Sequence, residues 1–291
     1  MNEEGMGAQM RFEIQAAPLD LDLTLGCGQT FRWRRTTDGS WSGIIGDQSV
    51  NLRKNGKRVT VNAHPGGRGV KEYVLDFVRA HDDIGKIQGR LGEDPVLALG
   101  MKKMKGLRIV KLDEWECLVS YVLATYANIP RIMKMVDALA VNYGSRIEHG
   151  VYSFPDRMQL SKATVKELTG LGLGYRADYV KELCEIVDEQ MLRSLSKASY
   201  ERLRRELIEL PGVGDKVADC VSLFGFGRLE SFPIDIWMER ALARLYKQRG
   251  SYKTLRTFAA ERFGEYAGYA QEYLYHNERM HARDSCCAFS E

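Results

Sequence analysis

The spacing of apolar positions changes partway along the chain. Between Thr30 and about His64, residues rich in Trp, Val, Ile and Thr are cut by the turn signals "TTDGS", "GDQS" and "KNGK". That pattern predicts an antiparallel meander. "NAHPGGRG" ends it, and Val70, Val74, Phe77 and Val78 in "VKEYVLDFVRAHDDIGKIQGRL" then fall at helical spacing. A basic stretch, "MKKMKGLRIVK", closes this first region.

From Asp113 onward the pattern is one of successive helices. "DEWECLVSYVLATY" is apolar at helical spacing, and "NIPRIMKMVDALAVNYG" starts with Asn128 as an N-cap, carries Pro130 in its first turn and ends near a glycine. Helices around "TVKEL" and "YRADYVKELCEIVDEQ" are separated by "GLGLG". Leu203, Leu207 and Leu210 share one face of "SYERLRRELIEL", and Val217, Cys220, Val221 and Phe224 follow at i, i+3, i+4 and i+7. The expected fold class is α+β. An N-terminal antiparallel β-sheet domain with helices spans residues 1–108, and an all-α domain spans 109–291.

Composition places the chain among ordinary globular proteins, with 44% hydrophobic and 28% charged residues. Its longest apolar runs, such as "VSLFGF", fall far short of the roughly 20 residues that span a bilayer. The first residues are acidic and lack an apolar stretch, so neither a signal nor a transit peptide is expected. The expected location is wherever DNA resides, in the cytoplasm with the nucleoid or in a nucleus, and not outside the cell. A net charge of +3 permits binding to DNA without requiring it. Six cysteines, Cys27, Cys117, Cys184, Cys220, Cys286 and Cys287, lack C-x-x-C spacing and read as free thiols, with no zinc site and no disulfide framework.

The chemistry concentrates in "LPGVGDKVADC", residues 210–220. Pro211 ends one helix, while Gly212 and Gly214 allow a tight turn into the next. The amides of Gly212, Gly214 and the first turn that includes Val217 then face outward at a positive helix end, which suits a DNA phosphate. A turn used only for packing reads equally well from P-G-x-G alone. Lys216 lies where the helix macrodipole works against a cation, a setting in which a lysine can serve as a nucleophile. Asp235 opens the next helical segment, "IWMERALARLY", as an N-cap, which would hold its carboxylate rigidly.

"LPGVGDKVADC" followed by "PIDIWM" resembles the helix-hairpin-helix DNA glycosylase superfamily. Within it, "GCGQTFRWRR", "WSGIIGDQ", "NIPRI" and "LGLGYRADYV" resemble the eukaryotic-type 8-oxoguanine DNA glycosylase family. The resemblance implies a bifunctional glycosylase and abasic-site lyase that works as a monomer on double-stranded DNA containing 8-oxoguanine. Lys216 would attack the sugar and Asp235 would stabilise its positive charge. Gly28 would accept a hydrogen bond from the N7 proton of the oxidised base, Cys220 and Tyr275 would sandwich it, and Gln271 would read its Watson–Crick edge. Trp237 stands where the family commonly has a histidine that contacts phosphate. Arg131, Arg176 and Tyr175 would face the orphaned opposite base, with Tyr126 where the family has a wedging asparagine and Asn128 at the end of that run. No organic cofactor is implied, although a monovalent cation on hairpin carbonyls is compatible with the superfamily. A glycosylase for alkylated bases and a non-catalytic DNA-binding module are the competing readings; Lys216 disfavours the first and Asp235 the second.

Overall fold

A computed structural model describes residues 8–287, with side chains described up to Arg279; residues 1–7 and the side chains of Cys286 and Cys287 lie outside the described residues. The expected meander is present as β2 (Arg34–Arg35), β3 (Trp41–Ile45), β4 (Gln48–Asn55) and β5 (Arg58–His64). A further strand, β1 (Met10–Gln15), pairs antiparallel with β5 and completes a five-stranded sheet of order β1-β5-β4-β3-β2. Val50 and Leu52 pair with Ala63 and Val61, and these four side chains line the buried face. Period-two alternation puts all of them on one side.

Helices α1 (Leu21–Leu25), α2 (Val70–Phe77), α3 (Ile84–Leu91) and α4 (Pro95–Lys103) belong to the same region. The apolar stretch after the meander is thus two helices. Asp83 separates them, since its carboxylate accepts the Lys86 amide at 2.9 Å and starts α3 afresh. Phe77 of α2 stacks on Trp33 with ring centroids 5.1 Å apart, fastening the helix to the sheet.

The second region holds α5 (Glu114–Leu123), α6 (Ile129–Tyr143), α7 (Arg157–Leu160), α8 (Val165–Leu168), α9 (Arg176–Ile186), α10 (Glu189–Lys197), α11 (Tyr200–Ile208), α12 (Asp215–Phe224), α13 (Ile236–Ala241), α14 (Tyr252–Phe263) and α15 (Ala267–Cys287). It is not purely helical. A short hairpin, β6 (Arg146–Glu148) with β7 (Val151–Tyr152), follows α6. The helix expected over "YRADYVKELCEIVDEQ" stops at Ile186, because Asp188 caps a new helix by accepting the Met191 amide at 2.7 Å.

Polar bonds join the two regions along α15 and its surroundings. Tyr269 donates to Asp82 at 2.7 Å, Gln88 donates to the Tyr273 hydroxyl at 3.2 Å, and Arg262 donates to Asp94 at 2.7 Å. The Lys111 amide also reaches the Phe77 carbonyl at the end of α2, at 2.8 Å. The β-rich region is thereby fixed against the helices that carry the chemistry-bearing residues. Among the described residues, no helix is long and apolar enough to cross a membrane.

Candidate active site and DNA-binding face

Helices α11 and α12 form a hairpin around Gly212, whose φ of 75° lies in the left-handed region. A Cβ there would also sit 2.7 Å from the Tyr179 ring, so the turn requires glycine twice over. Gly214 is exposed, with nothing within 4 Å of a hypothetical Cβ. Helix α12 then begins without a side-chain cap. Its ladder opens with the Ala218 amide on the Gly214 carbonyl at 2.9 Å, which leaves the amides of Asp215, Lys216 and Val217 ahead of it. The Val217 side chain is buried, so only its backbone can face outward.

One buried carboxylate orients this hairpin. Asp219, fully enclosed, accepts hydrogen bonds from Tyr200 at 2.7 Å, Arg204 at 2.9 Å and Tyr252 at 2.6 Å. The Tyr252 hydroxyl in turn accepts the Ile234 amide at 3.2 Å. Ile234 directly precedes Asp235. A single side chain therefore connects α11, the helix of Lys216, and the loop of Asp235. Asp235 caps α13 as expected, accepting the Met238 amide at 2.9 Å.

Lys216 and Asp235 line the same cavity of about 1000 Å³, together with Gly28, Tyr126, Asn128 and Trp237. The Lys216 Nζ stands 5.3 Å from the centre of the Tyr121 ring. Tyr121 donates to the Gln29 carbonyl at 3.1 Å, and Gln29 is itself clamped by the Arg108 carbonyl at 3.0 Å and the Val110 amide at 2.9 Å. These bonds fix the backbone beside Gly28, whose φ is 99°. A Cβ at Gly28 would lie 2.6 Å from Ile129 Cδ1.

A smaller recess of about 70 Å³ shares Gly28, Lys216, Asp235 and Tyr275 with the main cavity and adds Cys220 and Gln271. All four proposed base-contacting residues thus meet in one place. Gln271 is buried and its Oε1 has no hydrogen-bond partner. Burial pushes the Cys220 thiol up to about 12 against the pull of Lys216, so this cysteine behaves as an apolar wall. Cys27, Cys117, Cys184 and Cys220 are all free thiols.

The opposite lip is built around the turn after α5. Tyr126 is 94% exposed at a φ of 48° and projects beside the cavity. Asn128 caps α6 by accepting the Arg131 amide at 3.0 Å, and the Arg131 side chain is exposed. Arg176, expected to face the opposite base, is buried beside this lip. Its guanidinium donates to the Thr125 carbonyl at 3.0 Å and the Leu173 carbonyl at 3.3 Å, and stacks 4.4 Å from the Tyr175 ring. Tyr175 also donates to Thr125, at 3.3 Å. Both bonds hold the carbonyl directly before Tyr126, whose backbone is left-handed. Between this lip and the hairpin runs a groove of about 550 Å³ lined by Tyr126, Tyr175, Gly212 and Gly214. Trp237 is half-buried with Arg240 5.4 Å from its ring.

Sequence reasoning missed four residues around the recess. Cys27 and Glu272 line it, His276 sits one turn beyond Glu272, and Arg279 donates to the Cys27 carbonyl at 2.8 Å while lying 5.4 Å from the Tyr275 ring. Burial raises the Glu272 carboxyl to about 8 and lowers the His276 imidazole to about 4. The available signal was the i, i+4 pairing of Glu272 with His276, parallel to that of Gln271 with Tyr275.

Two helices joined by a tight glycine turn, with free amides at the start of the second and a lysine and a capping carboxylate lining the cavity beside it, define a helix-hairpin-helix protein. Comparison with known proteins narrows the class. A family model described as "8-oxoguanine DNA glycosylase, N-terminal domain" matches residues 11–118. The N-glycosylase/DNA lyase OGG1 of Arabidopsis thaliana is 31% identical over 88% of this chain and 76% of its own length. The structure of MBOgg1 in complex with a low affinity DNA ligand superposes with a TM-score of 0.87 at 32% identity, covering 97% of this chain and 99% of that one. The 8-oxoguanine glycosylase/lyase of Clostridium acetobutylicum, in complex with double-stranded DNA containing cytosine opposite 8-oxoG, gives 0.87 at 28% identity, covering 94% of this chain and 98% of that one. The chain belongs to the 8-oxoguanine DNA glycosylase family.

Proposed function

We propose that this protein excises 8-oxoguanine from duplex DNA in base excision repair and then cleaves the strand as a lyase. The observation that carries the reading is the shared cavity, in which Lys216 and Asp235 face the same recess as Gly28, Cys220, Gln271 and Tyr275. Removing a base from the stack is a precondition for chemistry on it. Free amides at the start of α12 and the open face of Gly214 receive a backbone phosphate, while Tyr126 fills the gap in the duplex.

In the recess, Gly28 accepts from the N7 proton found only on the oxidised base. The unmet Gln271 amide oxygen accepts from the Watson–Crick edge, and the Tyr275 ring and Cys220 enclose the two faces. The Lys216 amine forms a bond to C1′ as the glycosidic electron pair leaves with the base, which takes up a proton. Charge developing on the sugar is oxocarbenium-like, and the Asp235 carboxylate lies where it stabilises that charge. Opening of the sugar gives an imine on Lys216, and loss of a C2′ proton then expels the 3′ phosphate. The lysine supplies the covalent chemistry, so no organic cofactor enters; a monovalent cation on the hairpin carbonyls would serve the phosphate grip alone. Arg131, exposed beside the lip, is the arginine that meets the opposite base, and Arg176 acts through the turn that presents Tyr126.

The test is a set of duplexes with 8-oxoguanine opposite each of the four bases, assayed for base release, nicking and borohydride trapping. Release with nicking is expected on all four, with a modest preference for cytosine, because a tyrosine at 126 lacks the amide hydrogen bonds of an asparagine. Absence of release on every duplex would overturn the function, and exclusive action opposite cytosine would overturn the role given to Tyr126.

A further inference from the structure

Behind the recess, three side chains from opposite ends of the chain converge. Cys27 Sγ, a Glu272 carboxylate oxygen and a His276 ring nitrogen all lie within 4.8 Å of one another. Glu272 and His276 stand i, i+4 on α15 and so share a face, while Cys27 comes from the loop after α1. Glu272 is only 4% exposed, yet its Oε2 has no hydrogen-bond partner, and His276 Nε2 is likewise buried and unmet. A buried polar atom left without a partner is costly in free energy. Two such atoms in one cluster point to a missing ligand that accepts electron pairs from both.

The donor set defines that ligand. Sulfur, nitrogen and carboxylate oxygen together suit a borderline-soft divalent ion, whereas magnesium and calcium take oxygen ligands alone. Burial pushes the Cys27 thiol far above its ordinary range, so binding releases its proton, and the resulting thiolate with the Glu272 carboxylate balances a double positive charge. Two further charges face the cluster, Arg279 through its bond to the Cys27 carbonyl and Asp235 through its influence on Glu272. They are opposite in sign, so the ligands themselves set the charge of the site.

We propose that Cys27, Glu272 and His276 form a binding site for one zinc-class divalent cation at the back wall of the recess. Three protein ligands leave a coordination position open, and the presence of Cys27 and Glu272 on the recess wall turns the site toward that space. The ion would join the loop that carries Gly28 to α15, bridging the two regions of the molecule.

The test uses the full chain with Cys286→Ser and Cys287→Ser, stripped with chelator, held reduced, and titrated with cobalt(II) in the absence of DNA. A thiolate-to-cobalt charge-transfer absorption in the near ultraviolet should saturate at one equivalent, and zinc should displace it. Cys27→Ser should abolish that absorption, and Glu272→Gln should weaken cobalt binding by about tenfold or more. Zinc should raise the melting temperature of the parent by mass action on the folded state. No absorption and no thermal shift in the parent, an unchanged absorption in Cys27→Ser, or an unchanged affinity in Glu272→Gln would each overturn the proposal. None of these readouts depends on glycosylase activity, so the site stands or falls apart from the proposed function.

Discussion

The two walls of the cleft are built on opposite principles. On the catalytic wall, the buried Asp219 carboxylate is met by Tyr200, Arg204 and Tyr252, and the last of these reaches the backbone next to Asp235. On the recognition wall, Gln271 Oε1, Glu272 Oε2 and His276 Nε2 are buried with no partner at all. A satisfied network fixes geometry in advance, as a reaction coordinate requires. An unsatisfied one stores a demand for hydrogen bonds that only the right ligand meets. The proposed chemistry is thus backed by a satisfied network, and the proposed base contacts by an unsatisfied one.

The largest expected effect of breaking this contrast is on the satisfied side. Asp219→Ala removes the common acceptor of two tyrosines and an arginine. Loss of one member of a buried charged pair costs about 3–5 kcal/mol. Denaturant unfolding should show a loss on that scale, and imine formation should fall with it because Lys216 and Asp235 lose their common anchor. Unchanged stability would show that the network does not hold the wall.

A smaller and more selective effect is expected on the other side. Gln271→Ala should leave stability within about 1 kcal/mol, since its oxygen has no partner to lose. It should weaken binding to an 8-oxoguanine duplex by about 1–3 kcal/mol while leaving abasic-site duplex affinity unchanged. Equal losses on both duplexes would remove Gln271 from base recognition.

The smallest effect is a slope. The folded Glu272 carboxyl is raised from 4.5 to about 8 by burial, so the unfolded chain gives up this proton first as pH rises. Its contribution to stability is complete below about 4.5 and is lost progressively up to about 8. His276, lowered from 6.5 to about 4, works in the other direction, losing its contribution as pH falls through that range. In chelator, Glu272→Gln should therefore gain stability over the parent as pH rises from about 5 to 8. Parallel curves for the two proteins across that range would contradict the buried, protonated state of Glu272.

The contrast also separates what a sequence displays from what only the fold creates. Local chemistry was legible: the turn signals of the meander, the apolar face of Val217, Cys220, Val221 and Phe224, and the caps at Asn128 and Asp235 all recur in the structure. Residues Gly28, Cys220, Gln271 and Tyr275 do meet in one recess. Strand β1 had a readable signal in the alternation of Met10, Phe12 and Ile14 but lies outside the turn-punctuated run that marked the other strands. Asp219 looks like one more polar residue in an amphipathic helix until its three partners arrive from α11 and α14. Cys27 showed no metal-type spacing because the groups it meets are near the other end of the chain. The hold of Arg176 on the Thr125 carbonyl was not legible for a different reason: side-chain direction follows the carbonyls within reach, and this one belongs to a turn far away in sequence.

Borohydride reduction during incubation with an 8-oxoguanine duplex reads the proposed nucleophile, Lys216, without an intermediate step. The parent should become covalently attached to the DNA, whereas Lys216→Gln should bind the same duplex with similar affinity and give no attached product. Attachment that persists in Lys216→Gln would contradict the account.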